Sequence, residues 1–207
     1  MRTLIRCLDT LVRRACGVFE FSDDDDCVLR LQLKEAPHTL HLKDCAVEAG
    51  QPVLGLHLWN EHLPPLPPTG PDLAWASQMR RLFMRSLHTV ARQMRLDPRL
   101  ARVRAVGGAS ALFSPTERPG GVRLMQRLGF TVMPYRSPLG QFGEFWENFY
   151  SWWIMWTFNA VSLRHRRLIR LRRTEIWMST QEFLERYGTD SAKNKRLLTA
   201  ALGEPQV

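Results

Sequence analysis

The strongest constraint on this chain is a long one-sided period at residues 72–95. Leu73, Ala76, Met79, Leu82, Phe83, Leu87, Val90 and Met94 recur at steps close to three and four, which gathers them on one stripe of an α-helix. Arg80, Arg81, Arg85, Arg92 and Arg95 give the helix a basic side, and Asp72 stands where an N-cap would. A helix of this length must lay its apolar stripe on another layer, so the rest of the chain has to supply one. Directly ahead, Pro64, Pro65, Pro67, Pro68 and Gly70 break the chain. They read as a stiff connector inside one fold at 64–70, because proline fixes φ and removes an amide donor.

The layer is predicted to be a sheet. Cys27 to Leu33 alternates, with Val28, Arg30 and Gln32 on one side and Leu29, Leu31 and Leu33 on the other. Thr39 to Leu42 and Pro52 to Trp59 read as two further strands, and short turns between the three suggest an antiparallel meander. Val103 to Phe113 reads as a strand with a glycine passage, Val122 to Leu128 as a helix ended by Gly129, and Phe130 to Met133 as a strand. Together these form a strand–helix–strand unit. Thr174 to Met178 stays open between a strand and a helix end, and Ser179 or Thr180 caps a helix, with Glu182 assisting. Residues 3–16 read as a short amphipathic helix. The fold class is therefore α/β or α+β: a mixed sheet with an N-terminal antiparallel meander, the strand–helix–strand unit and a basic C-terminal helical region. Residues 1–196 are expected to form a single compact domain, followed by a flexible tail over 197–207.

Charge is unevenly spread. Residues 1–70 hold seven Lys or Arg against ten Asp or Glu, and residues 71–207 hold twenty-two against ten, for a total of +9. Within the basic part, Phe142, Phe145, Trp146, Phe149, Trp152, Trp153 and Trp156 repeat at helical spacing, and Arg164, Arg166, Arg167, Arg170, Arg172 and Arg173 follow without an acid among them. Two readings stay open for the aromatic stretch. It buries a broad face in a core, or it lies at an interface, with rings at headgroup depth and arginines on anionic phosphates. The second reading implies an anionic membrane surface or an acidic protein as partner. Nucleic acid is disfavoured because aromatic and basic residues form successive blocks, with no zinc-finger or RNP1 pattern. The sequence shows no signal-peptide pattern, since Asp9, Arg13 and Arg14 interrupt the first apolar run, and no stretch long enough to span a bilayer. The expected location is cytoplasmic, peripheral at the inner face of the cell membrane. Cys7, Cys16, Cys27 and Cys45 lack metal-ligand spacing, and parity alone does not bring His38, His41 and His57 to one sheet face, so no metal site is expected.

Two groups of residues invite a chemical reading. His57, Asn60 and Glu61 return polarity where the third strand ends, and a strand rim is a common place for a site. His57 or His62 can serve there as a base with Glu61 orienting it; Asn60 and Glu61 can equally cap the chain as it leaves the sheet. Arg104, Gly107, Gly108 and Ala109 fit an R-x-x-G-x-A pattern, and Arg127 to Phe130 closes with R-L-G-F. Both resemble parts of the GCN5-related acetyltransferases, and that resemblance implies acetyl-CoA as cofactor and an acyl-transfer activity. Only about twenty residues separate the two motifs, fewer than that superfamily's phosphate loop, helix and strand require. Otherwise no cofactor is expected.

A broader resemblance runs from the first helix to about Tyr135. The strand ending Gly55 to Glu61 as G-L-H-L-W-N-E, the helix after it, the V-G-G of Val106 to Gly108 and the R-L-G-F turn resemble a small bacterial domain family, YkoP-like, found alone or attached to polysaccharide deacetylases. The resemblance implies an accessory role in envelope polysaccharide or lipid metabolism. It brings no catalytic residues with it, and the deacetylase metal arrangement is not evident in this sequence.

Overall fold

The computed structural model describes residues 14–70, 72–110, 119–135, 137, 140, 142–143, 145–146, 148–149, 152–153 and 173–188. The expected first helix lies almost wholly outside these residues, as do Trp156, five of the six clustered arginines and the C-terminal tail.

Among the described residues the strands are β1 (Val18–Phe19), β2 (Leu29–Glu35), β3 (Leu40–His41), β4 (Ala46–Val47), β5 (Pro52–Leu58), β6 (Ala105–Ser110), β7 (Thr131–Pro134) and β8 (Thr174–Ser179). The helices are α1 (Leu73–Leu96), α2 (Pro119–Arg127) and α3 (Thr180–Tyr187). Six strands form one sheet in the order β1-β2-β5-β6-β8-β7, and β3 and β4 pair apart from it. The pairs β1–β2, β2–β5, β6–β8 and β7–β8 are antiparallel, and β5–β6 is parallel. This is the mixed α+β fold the sequence implies, with the antiparallel meander at its N-terminal edge.

Two details differ from the sequence reading. Thr39 to Leu42 does not supply the third strand of the meander: β1 does, and Leu40 and His41 pair instead with Val47 and Ala46. Leu40 and Val47 are apolar and fully buried, and the small hairpin places both on the main sheet, which an in-plane strand would not. The strand–helix–strand unit is also split. β8 lies between β6 and β7, so Thr174–Ser179 is a central strand, buried along its whole length.

Side-chain alternation gives the sheet two unlike faces. Leu29, Leu31, Leu54, Val106, Ile176 and Met178 form one face and pack on Leu82, Phe83, Leu87, Val90 and Met94 of α1 and on Phe183 and Tyr187 of α3. The stripe predicted for α1 is buried from Leu82 to Met94, whereas its first members Leu73, 90% exposed, and Ala76 lie in the open; Asp72 caps the helix by accepting from the Trp75 amide at 2.7 Å. Ser179 caps α3 in the same manner, accepting from Glu182 N at 3.1 Å. The second face carries a smaller apolar cluster of Val53, Ala105 and Trp177 under Ala36, Leu40 and Val47. Met133 of β7 packs against the edge of this cluster, and beyond it the face carries the Ala109 methyl and polar side chains of β2, β5 and β8.

Candidate functional site

The polar part of the second face is built by four neighbouring strands. β2 contributes Arg30, Gln32 and Lys34, the side that alternates with its leucines. β5 contributes His57, which pairs with Arg30 across the ladder. β8 contributes Glu175 and Trp177, in register with Ala109 and Gly107 of β6. Gly55 pairs with Gly107, so the floor of this region has almost no side chains. The gap is not empty, however. A Cβ added at Gly107 would meet the Ile176 carbonyl oxygen and stand 2.7 Å from Trp177 Cε3, and one at Gly55 would stand 3.3 Å from Lys34 Cε. Gly107 therefore accommodates the indole of Trp177, and the Lys34 ammonium lies 5.6 Å from that ring's centroid.

The three rim residues separate into different jobs. Arg30 has a side chain only 5% exposed, paired with Glu20 at 2.9 Å and Glu61 at 3.3 Å. Its guanidinium lies 4.4 Å from the centroid of Trp59, and the other partner of Trp59 is the His62 ring, stacked at 3.7 Å. His62 Nδ1 donates to the Cys27 carbonyl at 2.8 Å. Glu61 and His62 thus hold a buried cation and its aromatic neighbour in place, and Asn60 opens the 3₁₀ turn Asn60–His62 that brings them there. Only His57 faces the polar floor.

His57 Nε2 is 2.9 Å from Gln32 Oε1. The Gln32 amide nitrogen donates to the Cys16 carbonyl at 2.6 Å, so Oε1 is the acceptor and His57 carries its proton on Nε2. Burial first, and then the charges of Lys34 and Arg173, push this imidazole down from 6.5 to about 4. At neutral pH it is an uncharged ring with a lone pair on Nδ1.

Glu175 is the most unusual group on this face. Its side chain is 2% exposed. Oε2 accepts from Trp177 Nε1 at 2.9 Å and lies 3.4 Å from His38 Nε2. Oε1 has no hydrogen-bond partner, the one buried side-chain polar atom in that state among the described residues. Arg173 sits on the same side of β8. Its Nε donates to Asn148 Oδ1 at 3.1 Å, and its guanidinium lies 5.8 Å from the Tyr135 ring centroid. Of the six clustered arginines it is the one inside the described residues, and it is half-buried at the end of the sheet.

The glycine motif lies apart from any loop. Gly107, Gly108 and Ala109 run in the middle of β6, between β5 and β8. Arg104 is exposed, and its backbone amide donates to the Pro52 carbonyl at 2.8 Å. No group of His, Cys, Asp and Glu among the described residues is arranged to hold a metal ion.

The match to a family model now has a structural frame. The YkoP domain model covers residues 1–187. The chain belongs to the YkoP domain family. Comparison with curated proteins and with solved structures finds no match. The G-L-H-L-W-N-E segment of this YkoP domain is β5 together with the turn that buttresses Arg30, and its R-L-G-F is the α2–β7 junction, where Gly129 has a φ of +97°.

Sequence reasoning singled out His57 and gave no role to Gln32, Lys34 or Glu175, which the structure sets on the same face. The polar alternation of β2 carried a signal for the first two, because a strand whose second side is Arg, Gln and Lys opposite a histidine describes a polar sheet face. Glu175 had no such signal while its segment stayed open between strand and helix.

Proposed function

We propose that this YkoP domain is a non-catalytic accessory protein that docks on an anionic membrane surface. The carrying observation is a ridge of rings. Phe142, Phe145, Trp146 and Phe149 are helical and are 70%, 52%, 51% and 37% exposed. Trp146 meets the other three edge to face at centroid distances of 6.2, 5.7 and 5.8 Å. Contiguous exposed aromatic surface of this kind marks an interaction site. Gly143 and Asn148 of the same segment are buried, and Arg173 holds Asn148, so the segment is seated by one side and presents the other.

Charge selects the membrane as occupant. The sequence runs from these rings into Arg164, Arg166, Arg167, Arg170, Arg172 and Arg173 with no acid among them. Each basic side chain near an anionic leaflet contributes about 1 kcal/mol, and aromatic rings at headgroup depth add apolar anchoring. Among the described residues no helix is long and apolar enough to cross a membrane, and the docking proposed is at the surface. The resemblance to domains attached to polysaccharide deacetylases supports a setting in envelope polysaccharide or lipid metabolism, at the cytoplasmic face.

The acyltransferase alternative has weaker support. In a strand–helix–strand crossover a ligand's phosphates are held where the first strand ends and the helix begins. Between β5 and α1 this chain has Pro64, Pro65, Pro67, Pro68 and Pro71, none with an amide to donate. The Asp72 carboxyl already accepts from the first turn of α1, and it would repel a pyrophosphate.

The test is vesicle flotation. Wild type should float with vesicles containing phosphatidylglycerol and not with phosphatidylcholine alone. Phe145→Ser with Trp146→Ser should remove flotation, as should glutamine at Arg166, Arg167 and Arg170. Wild type that stays unbound at low salt overturns the reading, and preferential retention by RNA or DNA would favour the nucleic-acid alternative.

A further inference from the structure

Among the described residues, the second face of the sheet holds two hydrogen-bond acceptors to which no protein donor is directed. One is Glu175 Oε1, buried and unpartnered. Leaving such an oxygen unmade costs about 1–3 kcal/mol, and a group in that state in a settled core usually marks a role or a bound molecule. The other is His57 Nδ1. Its lone pair is fixed by the bond from Nε2 to Gln32, and no partner for it is recorded among the described residues. Both stand over the polar floor. Glu175 pairs with Ala109 across β6–β8, and the parallel register at Gly55 and Gly107 carried on by one alternation sets Ala109 beside His57. Roughly 10 Å, two strand spacings, separates the two backbones, with only a methyl group between them.

We infer that this face is a subsite for a neutral, polyhydroxyl small molecule, whose hydroxyls donate to Glu175 Oε1 and His57 Nδ1. Two empty acceptors require a ligand that donates twice, as a diol or an ammonium does. Lys34 and Arg173 both act on His57 as positive charges, so they disfavour a cation there and leave the hydroxyl-bearing class. His38, with a side chain 37% exposed and Nε2 3.4 Å from Glu175 Oε2, is the exposed neighbour whose movement would open Glu175 to the ligand. The subsite is independent of membrane docking.

The experiment is ligand-observed saturation-transfer NMR on the full chain without vesicles, using myo-inositol and methyl β-glucoside as probes and protonated ethanolamine, a primary ammonium with N–H donors, as the cationic control. The expected result is millimolar binding of a polyol, none of ethanolamine, and at least a tenfold weakening by Glu175→Gln and by His57→Phe. Gln keeps the shape of Glu175 and exchanges an acceptor for a donor. Should either variant fail to fold, the wild-type ¹⁵N shift of His57 Nδ1 decides, because a hydroxyl donating to it moves that signal. No polyol binding, tighter binding of ethanolamine, unchanged affinity in both folded variants, or a stationary Nδ1 signal in the presence of bound polyol each overturns the subsite. A protein that floats with vesicles and binds no polyol loses only this inference, and the reverse outcome removes only the membrane reading.

Discussion

Acidification should destabilise this domain through His57, and the size of the effect follows from its surroundings. In the unfolded chain the imidazole titrates near 6.5; folded, burial and the charges of Lys34 and Arg173 hold it down to about 4. As pH falls, the unfolded chain takes up this proton first. The stability due to neutral His57 is therefore complete above about pH 6.5, declines through the window below it, and levels off near pH 4. The gap is worth roughly 3 kcal/mol at about 1.4 kcal/mol per pH unit. That is a large fraction of the 5–15 kcal/mol typical of a whole domain. Carboxylates titrate in the lower part of the same window, so the measurement must be a difference. Urea unfolding of wild type and His57→Leu at about pH 7 and pH 4.5 provides it. Wild type should lose about 2–3 kcal/mol more than the variant between the two conditions. An NMR titration of the wild-type ring should show no protonation until well below pH 6. A ring midpoint near 6.5, or equal losses in wild type and variant, would refute the argument that burial and two cations hold this histidine neutral.

Three further outcomes follow from packing. Gly107→Ala should prevent folding or cost several kcal/mol by thermal melt, because the new methyl collides with the Ile176 carbonyl and the Trp177 ring; a melt close to wild type would count against the close stacking of that indole. Arg30→Ala should cost about 3–5 kcal/mol by chemical denaturation, since it leaves Glu61 and the Trp59 face without their buried cation, whereas Glu20→Gln, at the half-exposed end of the same network, should cost under about 1 kcal/mol. Tyr187→Phe should cost about 1–2 kcal/mol, because the phenol donates to the Leu128 carbonyl at 2.6 Å inside the core; the same burial, which pushes this phenol up to about 12, predicts that ultraviolet titration of the folded wild type shows one tyrosine ionising last.

Local periodicity made much of this fold legible. The stripe of α1, the caps at Asp72 and Ser179, and the alternation of β2 and β5 are each set by neighbours a few residues apart, and each appears in the structure close to where the sequence puts it. The short segments were harder. A pair such as Leu40 and His41 cannot declare by pattern whether it joins the main sheet or lies across it, because two residues carry no period. The cover they provide over Trp177 was set by the burial of Leu40 and Val47, a tertiary fact. The exposure of the aromatic ridge was equally hidden: Phe142, Phe145, Trp146 and Phe149 have the spacing of a core stripe, and only the packing of neighbouring elements decides whether that stripe is covered.

The site was less legible than the fold because its residues meet through strand insertion. His57 and Glu175 are over a hundred positions apart in the chain, and their strands come to flank β6 only because β8 enters the sheet beside β6 instead of pairing beyond β7. That choice has a physical cause in the side chains themselves. Ile176 and Met178 complete the face covered by α1 and α3, and Trp177 needs the flat backbone of Gly107 beneath its ring. An edge position would leave at least one side of so apolar a strand in water. Once Ile176 and Met178 are turned toward the helices, alternation forces Glu175 and Arg173 onto the opposite face. A buried carboxyl on that face is then a consequence of burying its neighbours, and Trp177 Nε1 satisfies one of its two oxygens. Among the described residues nothing supplies a donor for the other. Fold stability alone would favour glutamine or an apolar residue at this position, which is the argument for a ligand at Glu175.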